Sequence, residues 1–259
     1  MNLTLFGLLV VLGMFLGMLL LLETGRRLGA RRFAKDPEAA KSGGGAAEGA
    51  VFGLMALLIA FTFSGAASRF EVRRALVVEE ANDIGTAWLR LDVLPVTAQP
   101  PLREKFRQYV DVRLAFYRKL PDVASARVDL ARTAALQNEI WKDVVAACRD
   151  SGSSPATMLL LPALNQMIDI TTTRTVAAQT HPPMVVYVML GLLVLAGSLL
   201  AGYDLGAGAA RNWFHTSAFA LIKALAIYVI LDFEFPRLGL IRLHAFDQVL
   251  VDLRQSMNP

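Results

Sequence analysis

Four uninterrupted apolar runs punctuate this chain, and the polar segments are arranged around them. Leu3 to Leu22 carries no charged side chain, and neither does Ala50 to Ala67 nor Met184 to Ala201. The fourth run, Trp213 to Leu231, is interrupted by a single lysine, Lys223. A hydrocarbon layer about 30 Å thick takes roughly 20 apolar residues as a helix, so each run predicts a membrane-spanning helix. The first run predicts an uncleaved anchor rather than a signal peptide. No Lys or Arg precedes it, and no small-x-small cleavage site follows it. Its apolar stretch also exceeds the usual ~7–15 residues of a signal sequence.

The polar segments have the period of helices or the composition of loops. Between spans one and two, Glu23 to Gly49 carries Arg26, Arg27, Arg31, Arg32, Lys35 and Lys41, and it ends in the flexible stretch Ser42-Gly43-Gly44-Gly45. Spans three and four are joined by a short loop with Gly202, Gly206, Gly208 and Arg211. The insert Ser68 to Pro183 shows no alternating strand pattern and no Asn-Gly hairpin, so it reads as helical. Span two runs without proline into Arg69–Leu94. Ala50 to Leu94 therefore predicts a single helix about 67 Å long at 1.5 Å per residue, ended by Pro95. Pro100-Pro101 open the next helix, through to Leu120. Asp122 is placed to cap a helix to about Arg149. Ser154-Pro155 reads as cap plus first-turn proline of a helix to about Thr180, with a possible kink at Pro162. Pro182-Pro183 separate it from span three.

The expected fold is thus an all-α integral membrane protein. Four transmembrane helices would carry a helical extramembrane bundle between spans two and three. The expected divisions are 1–67 (spans one and two with their basic loop), 68–183 (the helical bundle), 184–233 (spans three and four) and 234–259 (a C-terminal tail).

Composition sharpens this picture. The chain is 55% apolar and only 19% charged, with a mean hydropathy of +0.47. Soluble domains run at about 45–50% and about 25%. That excludes a disordered chain and makes a wholly soluble enzyme a poor fit. The single cysteine, Cys148, excludes an intramolecular disulfide. Three scattered histidines, His181, His215 and His244, give a metal site or haem little to work with, so no cofactor or metal is expected. A net charge of +4 is mild, and the basic residues are not interleaved with aromatics on one face, which argues against nucleic acid as a partner. The arginines directly after span one place that loop in the cytoplasm, and hence the amino terminus and the insert outside the cell membrane. Arg69, Arg73, Arg74, Arg237, Arg242 and Arg254 pull the other way. Long domains cross largely regardless of charge, so the short loop is given the greater weight.

Several residues could carry chemistry. Gly49, Gly53, Leu57, Phe61 and Gly65 recur every fourth position along span two, beside a second row of Ala56, Ala60, Ser64 and Ser68. Small residues at this spacing let helices approach closely in lipid. One reading packs span two against its own bundle. The other sets several copies around an axis, with the small row against the neighbouring copy and Leu57 and Phe61 forming a constriction that gates by dewetting. Lys223, mid-span, could snorkel to the interface, attract an anion or pair with Asp204. The pairs Glu79/Asp83 and Asn165/Asp169 share helical faces and could hold a cation, although Arg73, Arg74 and Arg174 offer structural pairing. Asp232 and Glu234 follow span four, at a vestibule or simply at the interface. No nucleophile elbow, P-loop or dinucleotide fingerprint is present, so no enzyme is expected.

The run from Gly49 through Ser64, followed by Arg69-Phe-Glu-Val-Arg-Arg to Thr86, resembles a bacterial bestrophin-like family of unknown function. Leu161-Pro-Ala-Leu-Asn-Gln-Met-Ile-Asp169, His181-Pro-Pro183 and the tail from Asp232 to Ile241 carry the same resemblance. The family is related more loosely to true bestrophins, which are pentameric anion channels. The kinship implies a homo-oligomer, a pentamer by analogy, in a bacterial inner membrane and passing small inorganic ions. It implies that Gly53, Leu57 and Phe61 occupy neck positions, and that Arg69-Phe70 matches the Arg-aromatic pair at the end of the pore helix. This chain departs from that pattern in having one aromatic neck residue, a glycine that widens the neck, and no evident acidic calcium clasp. True bestrophins also keep both termini and the insert in the cytoplasm, opposite to the charge-based orientation. Two functions follow as expectations: a bestrophin-like channel, with Arg69 and Lys223 attracting ions, or a non-conducting membrane scaffold or envelope sensor working through its helical domain.

Overall fold

In a computed structural model, residues 3–36, 45–119, 123–207, 213–236 and 244–258 are described. They form α1 (Leu3–Lys35), α2 (Ala46–Leu89), a 3-10 turn (Arg90–Val93), α3 (Gln99–Lys119), α4 (Val123–Ser151), α5 (Ser154–Gln179), α6 (Met184–Leu205), α7 (Trp213–Glu234) and α8 (His244–Ser256). Four stretches of helix are long and apolar enough to cross a membrane, and each falls on one of the apolar runs.

The helix ends follow local chemistry. α2 has 44 residues and no proline from start to finish. It tightens into the 3-10 turn, and Leu94, just before Pro95, is extended, as a residue preceding proline prefers. Pro100 and Pro101 lie in the first turn of α3, where a missing N–H costs nothing. The cap of α5 is Ser153 rather than Ser154: its Oγ accepts from the Ala156 N–H at 3.3 Å. Gly152 precedes it at φ +61°, a conformation that favours glycine. Pro162 lies inside α5. The expected cap Asp122, the stretch Ser42 to Gly44, and Gly208 and Arg211 lie outside the described residues.

The chain divides into two compact units, Met1–Arg69 with His181–Leu240, and Phe70–Thr180 with Ile241–Pro259. In the first, α1 packs along α6 and against α7. Met18, Leu22, Met55, Ala66, Leu190, Val194, Ala220, Ala224, Ile227 and Ile230 make its apolar centre. Here the structure corrects the sequence reading. α1 runs on to Lys35, well past Leu22, and α6 runs on to Leu205, so Gly202 is helical and not part of a loop. Gly25 and Gly29 of α1 face Gly202 and Gly206 across the contact. A Cβ on Gly25 would come within 2.1 Å of the Leu199 carbonyl oxygen, and one on Gly202 within 2.2 Å of the Leu22 carbonyl oxygen. Each helix therefore presents a small-xxx-small pair at which backbone meets backbone.

In the second unit, α3 pairs with α4 and with α8, and α4 with α5. Ile84, Leu91, Phe106, Leu136, Ile140, Leu160 and Leu164 are fully buried there. Leu250 and Met257 tie α8 and the turn that follows it into this core. Arg254 reaches Asp111 at 2.8 Å, and the Arg107 Nε donates to the Met257 carbonyl at 3.0 Å.

Candidate functional site

α2 turns different faces to different surroundings. Met55, Thr62 and Ala66 are buried in the first unit, with Phe52, Leu58 and Ile59 packed beside them. Gly197 of α6 receives this face: a Cβ there would lie 3.4 Å from the Met55 sulfur and 3.4 Å from the Phe52 ring. The Thr62 hydroxyl donates to the Leu58 carbonyl at 2.7 Å, which satisfies it within the helix. The opposite face carries both rows named from sequence. Gly53, Ala56, Leu57, Ala60, Phe61, Ser64 and Ser68 are all exposed, Phe61 to 66% and Leu57 to 51%. Nothing lies within 4 Å of a Cβ placed on Gly49 or Gly53. The small row Ala56, Ala60, Ser64 and Ser68 thus stays exposed in its own unit.

Gly65 has a local reason. Arg69, one turn further on, folds its guanidinium back so that Nη1 would sit 3.2 Å from a Cβ on Gly65. From there it grips Glu234, at the end of α7. Nε donates to both carboxylate oxygens, at 3.1 and 3.0 Å, and Nη2 donates to Oε2 at 2.6 Å. The Glu234 side chain is fully buried. His181 Nδ1 lies 2.8 Å from the other carboxylate oxygen, and its ring stacks on Phe235 with centroids 4.7 Å apart. Arg69, singled out from sequence as an ion-attracting group, is therefore held in a charge-compensated pair. Glu234 is the buried member of that pair.

Lys223 is half-buried on the face of α7 that meets α2. Its ammonium lies 3.7 Å from the Phe219 ring centroid and 5.3 Å from that of Phe52. Asp204, offered by sequence as a partner, lies beside Glu48, and among the described residues no ion pair joins it to Lys223.

The second unit holds a polar network that sequence reasoning passed over in favour of its neighbours Glu79 and Asp83. Glu80 is fully buried on α2 and accepts from Arg113 Nε at 2.5 Å, from the Tyr117 hydroxyl at 2.9 Å, and from Arg174. Arg113 also donates to the Tyr117 hydroxyl. Burial alone would raise the Glu80 carboxyl. The two guanidiniums and the donated hydrogen bonds overcome that and hold it below the ordinary carboxylate range. Asp83 moves the other way, pushed up by partial burial and by the charges of Glu79 and Glu80. Arg73 donates to the carbonyls of Ala177 and Thr180, at 3.0 and 2.9 Å, and Arg74 pairs with Glu71 at 3.0 Å. Sequence reading offers Arg174 as a structural partner for carboxylates on α2, and the structure pairs it with Glu80.

Comparison with known proteins places these observations in a family. The sequence matches the Bestrophin-like domain over residues 45–244. The fold is similar to the crystal structure of a point-mutated bacterial bestrophin homologue from Klebsiella pneumoniae, with a TM-score of 0.67 at 17% identity. The likeness covers 95% of this chain and 97% of that one. No curated protein matches the sequence.

Proposed function

The chain belongs to the Bestrophin-like family, and from that premise we propose that it is an oligomeric channel for small inorganic ions in which copies of α2 surround the conducting axis. The supporting observation is the free face of α2. Gly53, Leu57 and Phe61 project away from the helix's own packing partners, on the side opposite Met55 and Ala66. A ring of copies would cover the small row Ala56, Ala60, Ser64 and Ser68 with the neighbouring α2, because small side chains allow close approach. Leu57 and Phe61 would then ring the axis as a hydrophobic constriction that conducts only when wet. A closed cyclic assembly gives each copy the same contact, and five copies is the number the family analogy supplies.

Reconstituted liposomes test this reading. Pure wild-type protein is expected to release halide above the level of empty vesicles. Phe61→Ala and Leu57→Ala, which lower the barrier to wetting, are each expected to raise that flux several-fold. Flux indistinguishable from empty vesicles for the wild type and both variants would contradict the proposal. That result would favour a scaffold working through the helical second unit.

A further inference from the structure

Lys223 is a cation at membrane depth with an aromatic seat and no acid on it. Its ammonium contacts the rings of Phe219 and Phe52 and lies 3.5 Å from the Met55 sulfur. Among the described residues no ion pair joins it to a carboxylate, whereas Arg69 of α2 is compensated by Glu234, at the far end of the span that carries Lys223. The Cα–Cβ bonds of a helix tilt toward its N-terminus, which carries the Lys223 stem back onto Phe219, one turn earlier. The negative ring faces stabilise the charge where water does not reach freely. An ionisable group is expensive at this depth.

Its position relative to the free face of α2 gives the charge a use. At 100° per residue, the midpoint of Phe52 and Met55 lies about 170° around α2 from the midpoint of Gly53, Leu57 and Phe61. Lys223 is therefore seated behind the helix, level with Gly53, and does not project onto the stripe. We infer that Lys223 is a specificity-determining residue that favours anions over cations at the Gly53–Leu57 level, acting through the field across α2. This inference rests on the channel reading above. The path from the ammonium to the stripe is about one helix diameter, roughly 12 Å. At an effective dielectric near 20, a unit charge at that distance changes an ion's relative occupancy about tenfold. Salt screens it little, because the intervening material is protein and lipid.

The test is the reversal potential across a bilayer with a KCl gradient, measured on reconstituted full-length protein. Lys223→Met keeps the apolar contacts and is expected to move the chloride-to-potassium permeability ratio about a hundredfold toward potassium, since the lost charge acts about tenfold on each ion and in opposite directions. Lys223→Arg retains the charge and is expected to keep the wild-type ratio. Lys223→Gln supplies a second neutral variant should the methionine variant not assemble. A conducting wild type whose ratio is unchanged in the neutral variants, or moves toward chloride, overturns the inference and leaves the channel reading standing. A wild type without conductance overturns both.

Discussion

Gly202→Leu is expected to abolish the folded protein. The Cβ alone would sit 2.2 Å from the Leu22 carbonyl oxygen, and 2.8 Å from the Leu22 carbonyl carbon and from its Cα. These are backbone atoms, which cannot rotate out of the way as a side chain can. Overpacking a core ordinarily costs about 1–3 kcal/mol. Here α1 and α6 must separate along their whole contact, so the cost exceeds that range. Gly25→Leu and Gly29→Leu are expected to act alike, since each would place its Cβ 2.1 Å from an α6 carbonyl oxygen. Gly53→Ala is the contrast. Its site is open, and alanine is favoured over glycine in a helix by about 0.5–1 kcal/mol. Melting of the purified protein in detergent, followed by size-exclusion, checks both. Gly202→Leu should yield no monodisperse peak, and Gly53→Ala should melt at or above the wild-type temperature. A Gly202→Leu protein that melts within a few degrees of wild type would contradict the packing described for α1 and α6.

The second large effect is expected at Glu80. Neutralising it with Glu80→Gln leaves Arg113, 1% exposed, and Arg174, 9% exposed, without their shared anion. Removing one partner of a buried pair typically costs about 3–5 kcal/mol, because the remaining charge cannot regain water. The pH dependence has a definite sign. The folded-state carboxyl titrates below its ordinary value, so its contribution is fully present above the ordinary carboxylate range and is lost as pH falls through the depressed folded value. Acid unfolding of the wild type is therefore expected to be steeper between neutrality and strong acid than that of Glu80→Gln. Adding Arg113→Met to Glu80→Gln should recover part of the loss, since one fewer cation is stranded, and a double-mutant cycle reads that coupling. Additive effects of the two substitutions would contradict the network.

How much of this was legible in the sequence depends on what each signal reports. The apolar runs predicted the spanning helices because length and hydropathy respond to one constraint, the thickness of the hydrocarbon layer. The prolines at 95, 100 and 101 set helix limits because their steric effect is local. Which face of a spanning helix packs was not legible. In lipid both the packed and the free face are apolar, so a four-residue row of small side chains looks the same at Gly25/Gly29 as at Gly49/Gly53. The first row is filled by α6 and the second is open. Sequence reading singles out the open one, because it ends span one at Leu22 and puts Gly25 and Gly29 in the basic connecting segment. Glu80 was hidden for a different reason. Pairwise spacing on α2 points to Glu79 and Asp83, whereas the partners of Glu80 come from α3 and α5, distant in sequence. Arg69 likewise looked free until α7 brought Glu234 to it. The amphipathic C-terminal helix α8 is short and mostly polar, and its use in the second unit depends on a core formed by other helices.

The most direct measurement of the central claim is a single-particle structure of the purified, full-length assembly, read at its symmetry axis. A ring of identical copies with Leu57 and Phe61 of α2 facing a protein-lined, lipid-free axis is the predicted result. A lone protomer, or a ring whose axis is filled by lipid or lined by α1, α6 or α7, would contradict it.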